Sequence, residues 1–79
     1  MKGKVTIKYC TSWGYVGRAV GLARKILNEF KNEIKEVSLM PGMGGVYEIS
    51  FEDKLIHSKK ETGEYPENDD IISALKEMI

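Results

Sequence analysis

Between Cys10 and Val16 the spacing of the apolar residues changes from two to about 3.6, and this switch restricts the fold more than any other feature. Val5, Ile7 and Tyr9 alternate with Thr6 and Lys8, which predicts a strand over Lys4–Cys10 with one buried face. "TSWG" follows, a run of turn and cap residues. Val16, Ala19, Val20, Ala23, Ile26, Leu27 and Phe30 then recur three and four apart. That is one face of a helix, with Arg18, Arg24, Lys25 and Glu29 opposite and Asn32 as its stop.

The same reasoning carries to the C-terminus. "EVSLM" alternates again, with Val37 and Leu39 inward. "PGMGG", Pro41–Gly45, reads as a loop because neither proline nor glycine favours continuing a strand. "VYEISF" is a third strand with Tyr47, Ile49 and Phe51 on one face. Glu52-Asp53-Lys54 turns the chain into "LIHS", an edge strand. "KKETGEYPE" reads as a loop, and Asn68 as the cap of a last helix burying Ile71, Ile72, Leu75 and Met78, with Ile79 as a further candidate. The order is β-α-β-β-β-α. A right-handed crossover makes the first two strands parallel, and the hairpin adds an antiparallel pair. The expected architecture is a two-layer α+β domain, a four-stranded mixed sheet with two helices on one face. It spans residues 1–79 as a single domain.

Composition narrows the function. One cysteine in 79 residues excludes an internal disulfide, so a reducing, cytoplasmic compartment is expected. The N-terminal stretch is too polar for a signal peptide, and no apolar run approaches a membrane span. Twelve basic residues balance twelve acidic ones, which gives no electrostatic reason to expect nucleic acid. One histidine and one cysteine cannot build a metal site.

The residues that carry chemistry cluster at the first strand's end. Cys10 precedes a helix N-terminus, where backbone N–H groups and the helix dipole favour the thiolate. Thr11 and Ser12 offer hydroxyl hydrogen bonds, and Ser12 could cap the helix. The alternative is a cysteine that merely fills the core. Trp13, Tyr15 and Met43 could form an apolar, partner-binding patch around Cys10, as aromatic anchors do at interfaces; the alternative is ordinary packing. Met40 suits core-edge packing. Pro41 is expected trans. Gly44 and Gly45 either bring their loop close to Cys10 or simply turn it. His57 could act as a general base for Cys10 but is expected to be structural or exposed, on an edge strand away from the active end. Gly17 and Gly21, four apart, suggest close helix–sheet packing. Lys59-Lys60 reads as a solvated turn.

"YCTSWGY" (Tyr9–Tyr15), "PGMGGVYEI" (Pro41–Ile49) and "DKLIHSKKETGEY" (Asp53–Tyr65) resemble the selenoprotein W-like family, also called the Rdx family. The likeness runs in order along nearly the whole chain. It implies a thioredoxin-like fold and a small thiol-redox protein. Family members carry Cys-x-x-Cys or Cys-x-x-selenocysteine at the place of Cys10-Thr11-Ser12-Trp13. Cys10 matches; Trp13 departs from the pattern and performs no thiol exchange. Its codon differs by one base from UGA, so a misread selenocysteine codon is a second account of it.

The resemblance therefore implies single-thiol chemistry: a mixed disulfide at Cys10 with glutathione, as co-substrate, or with the thiol of a partner protein. The rival is a non-catalytic module whose Trp13 loop recognises a partner and whose redox site is vestigial. A third reading is redox sensing through a Cys10–Cys10 dimer. The chain is expected to be a monomer or a weak homodimer.

Overall fold

The computed structural model describes residues 2–12 and 14–79, Lys2 by its backbone alone; Met1 and Trp13 lie outside the described residues. β1 (Lys2–Cys10) leads into α1 (Tyr15–Phe30), and a single 3-10 turn at 31–33 precedes β2 (Ile34–Gly42). β3 (Tyr47–Phe51) and β4 (Lys54–Ser58) form the hairpin. α2 (Lys59–Thr62) and α3 (Asn68–Met78) complete the chain. The sheet order is β2-β1-β3-β4, with β1 and β2 parallel and both other pairs antiparallel. This is the mixed four-stranded sheet the periodicity implies.

A strand with one buried face places alternate residues in the core. Val5 and Ile7 of β1 and Tyr47 and Ile49 of β3 do so. They meet Ala19, Leu22, Ala23, Ile26 and Phe30 of α1 and Ile71, Ile72 and Leu75 of α3 in one cluster. Both long helices therefore cover the same face. Each fully buried leucine or isoleucine contributes about 1.5–3 kcal/mol of transfer free energy.

The structure corrects several expectations. α1 is rotated by roughly 50° from the face its sequence suggests, at 100° per residue: Leu22 is fully buried, while Val16, Val20 and Leu27 are exposed. α3 packs against the Leu22 side and adds the Lys25–Asp69 pair (2.7 Å) and the Lys76–Glu29 pair (3.1 Å). The opposite flank overhangs β2, an edge strand with no further strand beside it among the described residues, and Leu39 is likewise exposed. α1 also stops at Phe30, before Asn32, because Lys31 adopts φ 50° and its N–H bonds back to the Leu27 carbonyl.

Pro41 and Gly42 belong to β2 and pair with Tyr9 and Cys10, so only residues 43–45 of "PGMGG" form the loop. Proline is tolerated there because an edge strand need not donate outward. The segment expected as one loop after β4 contains the four-residue α2, closed by Gly63 at φ 77°. Asn68 is the first residue of α3, with no side-chain cap bond; Glu67 occupies the cap position in extended conformation. Met78 is partly exposed, while Ile79 packs on the core. Gly17 and Gly21 face open space and not the sheet. Among the described residues no peptide bond is cis, so Pro41 is trans.

Candidate functional site

Three strand ends converge on Cys10. As the last residue of β1 it pairs with Gly42, the last residue of β2. Its N–H donates to the Val46 carbonyl just before β3 (2.8 Å), and the Thr11 N–H reaches the Gly42 carbonyl (3.3 Å). The chain can close this tightly because Gly42 has no side chain; a Cβ there would meet the Val46 side chain at 2.9 Å. Gly44 and Gly45 both hold positive φ, 74° and 75°, which L side chains rarely adopt. Both sequence readings of these glycines hold: they make the turn, and the turn brings the Gly45 N–H to the Cys10 sulfur.

The thiol is held below its ordinary range. Backbone N–H donors stabilise a thiolate as they do any anion, and the Ser12 N–H is the main cause, donating to Sγ at 3.4 Å. The Gly45 N–H adds to it. Burial opposes both, and the Ser12 hydroxyl and the Lys59 charge contribute smaller lowering effects. The donors thus come from two loops. The sequence reading assigned this task to the helix N-terminus, but α1 begins only at Tyr15, capped by Gly14 in left-handed conformation without a side-chain bond. Ser12 does not cap the helix with its side chain; its carbonyl accepts from the Tyr15 N–H at 3.4 Å.

Lys59 is the residue that sequence reasoning missed. It opens α2 at the end of β4, and because β4 runs antiparallel to β3 that end lies toward Cys10. Strand four is therefore an edge strand, as expected, but it does not lead away from the site. The ammonium stands 5.3 Å from the centre of the Tyr65 ring and 6.0 Å from that of Tyr15, within cation–π reach. Tyr65 in turn packs edge-on against Tyr15 (4.9 Å) and Tyr47 (5.3 Å) and carries the Arg18 guanidinium over its face at 4.1 Å. An aromatic pillar with two cations against it thus stands between the start of α1 and the start of α2. Its sequence signal was the charged segment Lys59–Tyr65, whose tyrosine has no periodic pattern around it.

Cys10 is buried, with 3% of its surface exposed, while Thr11 and Ser12 are exposed. Trp13, on which much of the motif reading rests, lies outside the described residues. Tyr15 is half-buried and engaged with Tyr65. Met43 is 86% exposed on the glycine loop, and Met40 is exposed instead of packed at the core edge. His57 is structural: its Nε2 lies 2.9 Å from the Glu64 carbonyl oxygen and 3.4 Å from the Thr62 hydroxyl. Beside the thiol opens a cleft of about 820 Å³, bordered by Gly42, Gly45 and Val46 and by the lysines Lys8, Lys59 and Lys60. Glu48 is its one acidic wall residue, and it accepts a bond from the buried Ser58 hydroxyl at 3.2 Å. Among the described residues no three His, Cys, Asp or Glu side chains gather as metal ligands would, and no helix is long and apolar enough to cross a membrane.

Two solved structures match this arrangement over nearly its full length. A protein from Bordetella parapertussis superposes with a TM-score of 0.91 at 28% identity, covering 96% of each chain. A selenoprotein W-related protein from Vibrio cholerae gives 0.90 at 28% identity, covering 95% of this chain and 94% of its own. Among curated proteins no sequence relative is found. The model of the Rdx family matches residues 4–77, which takes in every element that builds the Cys10 site. The chain belongs to the Rdx family, whose members point to a thiol-redox role.

Proposed function

We propose that the protein exchanges thiols through Cys10 alone, forming a mixed disulfide with glutathione or with a cysteine of a partner protein. One observation carries the reading: backbone N–H groups of two loops converge on a single sulfur and favour its thiolate, the Lys59 charge adding a smaller effect. The thiolate is the attacking species in disulfide exchange. It attacks one sulfur of a disulfide substrate; that S–S bond breaks, a new one forms to Cys10, and the departing thiolate takes a proton from solvent. A second thiol, such as glutathione, then attacks the mixed disulfide and releases Cys10. No electrons are gained or lost by the protein over the cycle.

The basic cleft beside Cys10 supports a substrate that carries carboxylates, as glutathione does. Cys10 is covered, so exchange requires the loop at residues 43–45 to move aside. The exposed Met43 gives that loop an apolar contact for a protein substrate. The reading places the protein in the cytoplasm, where thiols stay reduced.

The test is the alkylation rate of Cys10 in the native protein as a function of pH. A midpoint below the ordinary cysteine value of about 8.5, with fast modification, is the expected result. Slow reaction that accelerates only on unfolding would make Cys10 a packing residue and favour the non-catalytic binding module.

A further inference from the structure

The cleft beside Cys10 has a charge pattern of its own. Val5, Ile7 and Tyr9 turn toward the core, so Lys8 and Cys10, two residues apart, fall on the other face of β1. Glu48 of β3 stands opposite Lys8 in the strand register. Lys8 reaches along the strand: a Cβ on Gly42, the β2 partner of Cys10, would lie 3.5 Å from its Cε. The end of Lys8 therefore stands near the thiol end of the sheet. Lys59 and Lys60 border the same cleft from the start of α2. Lys59 is half-buried and held against the Tyr15 and Tyr65 rings. Lys8 and Lys60 are exposed and in no ion pair among the described residues.

We propose that Lys8 and Lys60 set the specificity of this site, selecting disulfides that carry carboxylates close to the sulfur. The inference rests on the single-thiol reading above and adds which residues choose the substrate. Three lysines and one glutamate line the cleft, in a chain whose formal net charge is zero, so positive charge is concentrated here. Glu48, tied to the Ser58 hydroxyl at 3.2 Å, offsets one lysine and leaves two uncompensated. A phosphate would meet the same lysines, but it offers Cys10 no sulfur to exchange with. In peptide disulfides the acidic groups are carboxylates.

The lysines act on the encounter and take no part in bond making. They draw the acidic groups of the substrate into the cleft and so bring its S–S bond toward Cys10. The Cys10 thiolate then breaks that bond and joins one of its sulfurs. The other sulfur leaves with the electron pair as a thiolate and takes a proton from solvent, so one S–S bond replaces another. A charged cleft raises the rate of such encounters by about tenfold or more. The effect fades as salt shortens the screening length below about 10 Å. A cationic disulfide meets the opposite field. Lys59 is set apart from the other two, because its charge also acts on the thiol and its removal alters reactivity toward every substrate.

The rate of mixed-disulfide formation on Cys10 tests this, read by mass spectrometry on the reduced full chain near neutral pH. The probes are glutathione disulfide (anionic), bis(hydroxyethyl) disulfide (neutral) and cystamine (cationic). Each rate is divided by that of N-acetylcysteinamide with the same probe, which removes the probe's own reactivity. The expected order is anionic, neutral, cationic, with about tenfold or more between the extremes and a smaller ratio in about 0.5 M salt. Lys8→Gln combined with Lys60→Gln should reduce that ratio several-fold. Lys54→Gln, at the opposite end of β4, should leave it unchanged. Rates independent of charge, or an order that survives the double variant, overturn the proposal and leave thiol exchange at Cys10 intact. Failure of all three probes to react overturns the single-thiol reading and this inference together. Symmetrical Glu-Cys-Glu and Gln-Cys-Gln peptide disulfides separate the two sources of carboxylate. Preference for the acidic peptide supports recognition by carboxylates; a preference confined to glutathione disulfide overturns it.

Discussion

Replacing Tyr47 with phenylalanine should stabilise the protein. Tyr47 is 1% exposed, and its hydroxyl is buried with no hydrogen-bond partner among the described residues. An orphaned buried hydroxyl costs about 1–3 kcal/mol of desolvation that no bond returns. The phenylalanine ring keeps the packing against Tyr65, at 5.3 Å between centroids, and loses only the contacts of one oxygen atom in a dense interior. The net gain should be about 1 kcal/mol. In a domain of this length that raises the thermal midpoint by about 4–8 °C. Urea unfolding at pH 7 reads the change directly, with the midpoint shifted and the slope unchanged.

Alkaline pH supplies an independent check. Burial pushes the Tyr47 phenol above its ordinary range, while the Arg18 charge pulls weakly the other way. A phenol raised in the folded state contributes stability that is complete below its unfolded value of about 10 and is lost as pH rises above it. Tyr47→Phe has no such loss, so its advantage over the parent should widen above about pH 10. A variant less stable than the parent by about 1 kcal/mol at pH 7 would refute the reasoning, because the hydroxyl would then have a good partner.

Lys59→Ala should raise the midpoint of Cys10 alkylation only slightly, since the Ser12 and Gly45 N–H groups remain, and Lys59→Arg should restore it; a midpoint indifferent to both would remove Lys59 from the site. Because the Cys10 thiol is depressed, its thiolate adds stability above the ordinary cysteine range, and that contribution is lost as pH falls through the folded value. Trp13→Cys restores the family's two-thiol spacing and should form an internal disulfide with Cys10 under mild oxidation. Mass spectrometry showing two free thiols after such treatment would contradict that expectation. Asp69→Asn should cost little, since the Lys25–Asp69 pair is exposed. Lys25, by its hydrogen bond first and its charge second, lowers the Asp69 carboxyl, so the difference from the parent should be present near neutrality and vanish in acid. Urea midpoints at the two pH values measure it.

The alternation of Val5, Ile7 and Tyr9, and of Tyr47, Ile49 and Phe51, fixes which strand faces turn inward, because the period of a strand is two whatever surrounds it. The length of the α1 segment and the β-α-β-β-β-α order follow from local pattern in the same way, and with right-handed crossovers they leave a single compact sheet. Cys10 at a strand end was legible for that reason. The thiol's donors were not. The Gly45 N–H and the Lys59 charge are distant in sequence, and only the meeting of β1, β2 and β3 with the end of β4 brings both to bear on one sulfur. The rotation of α1 was equally hidden: a helix with apolar residues over much of its circumference shows that some arc is buried, but which arc depends on the neighbours. α3 took the Leu22 side and left Val16, Val20 and Leu27 in solvent. Periodicity is a property of one element, decided by backbone geometry; electrostatics at a sulfur and the choice between two half-apolar flanks are properties of contacts between elements, and only the tertiary structure sets those.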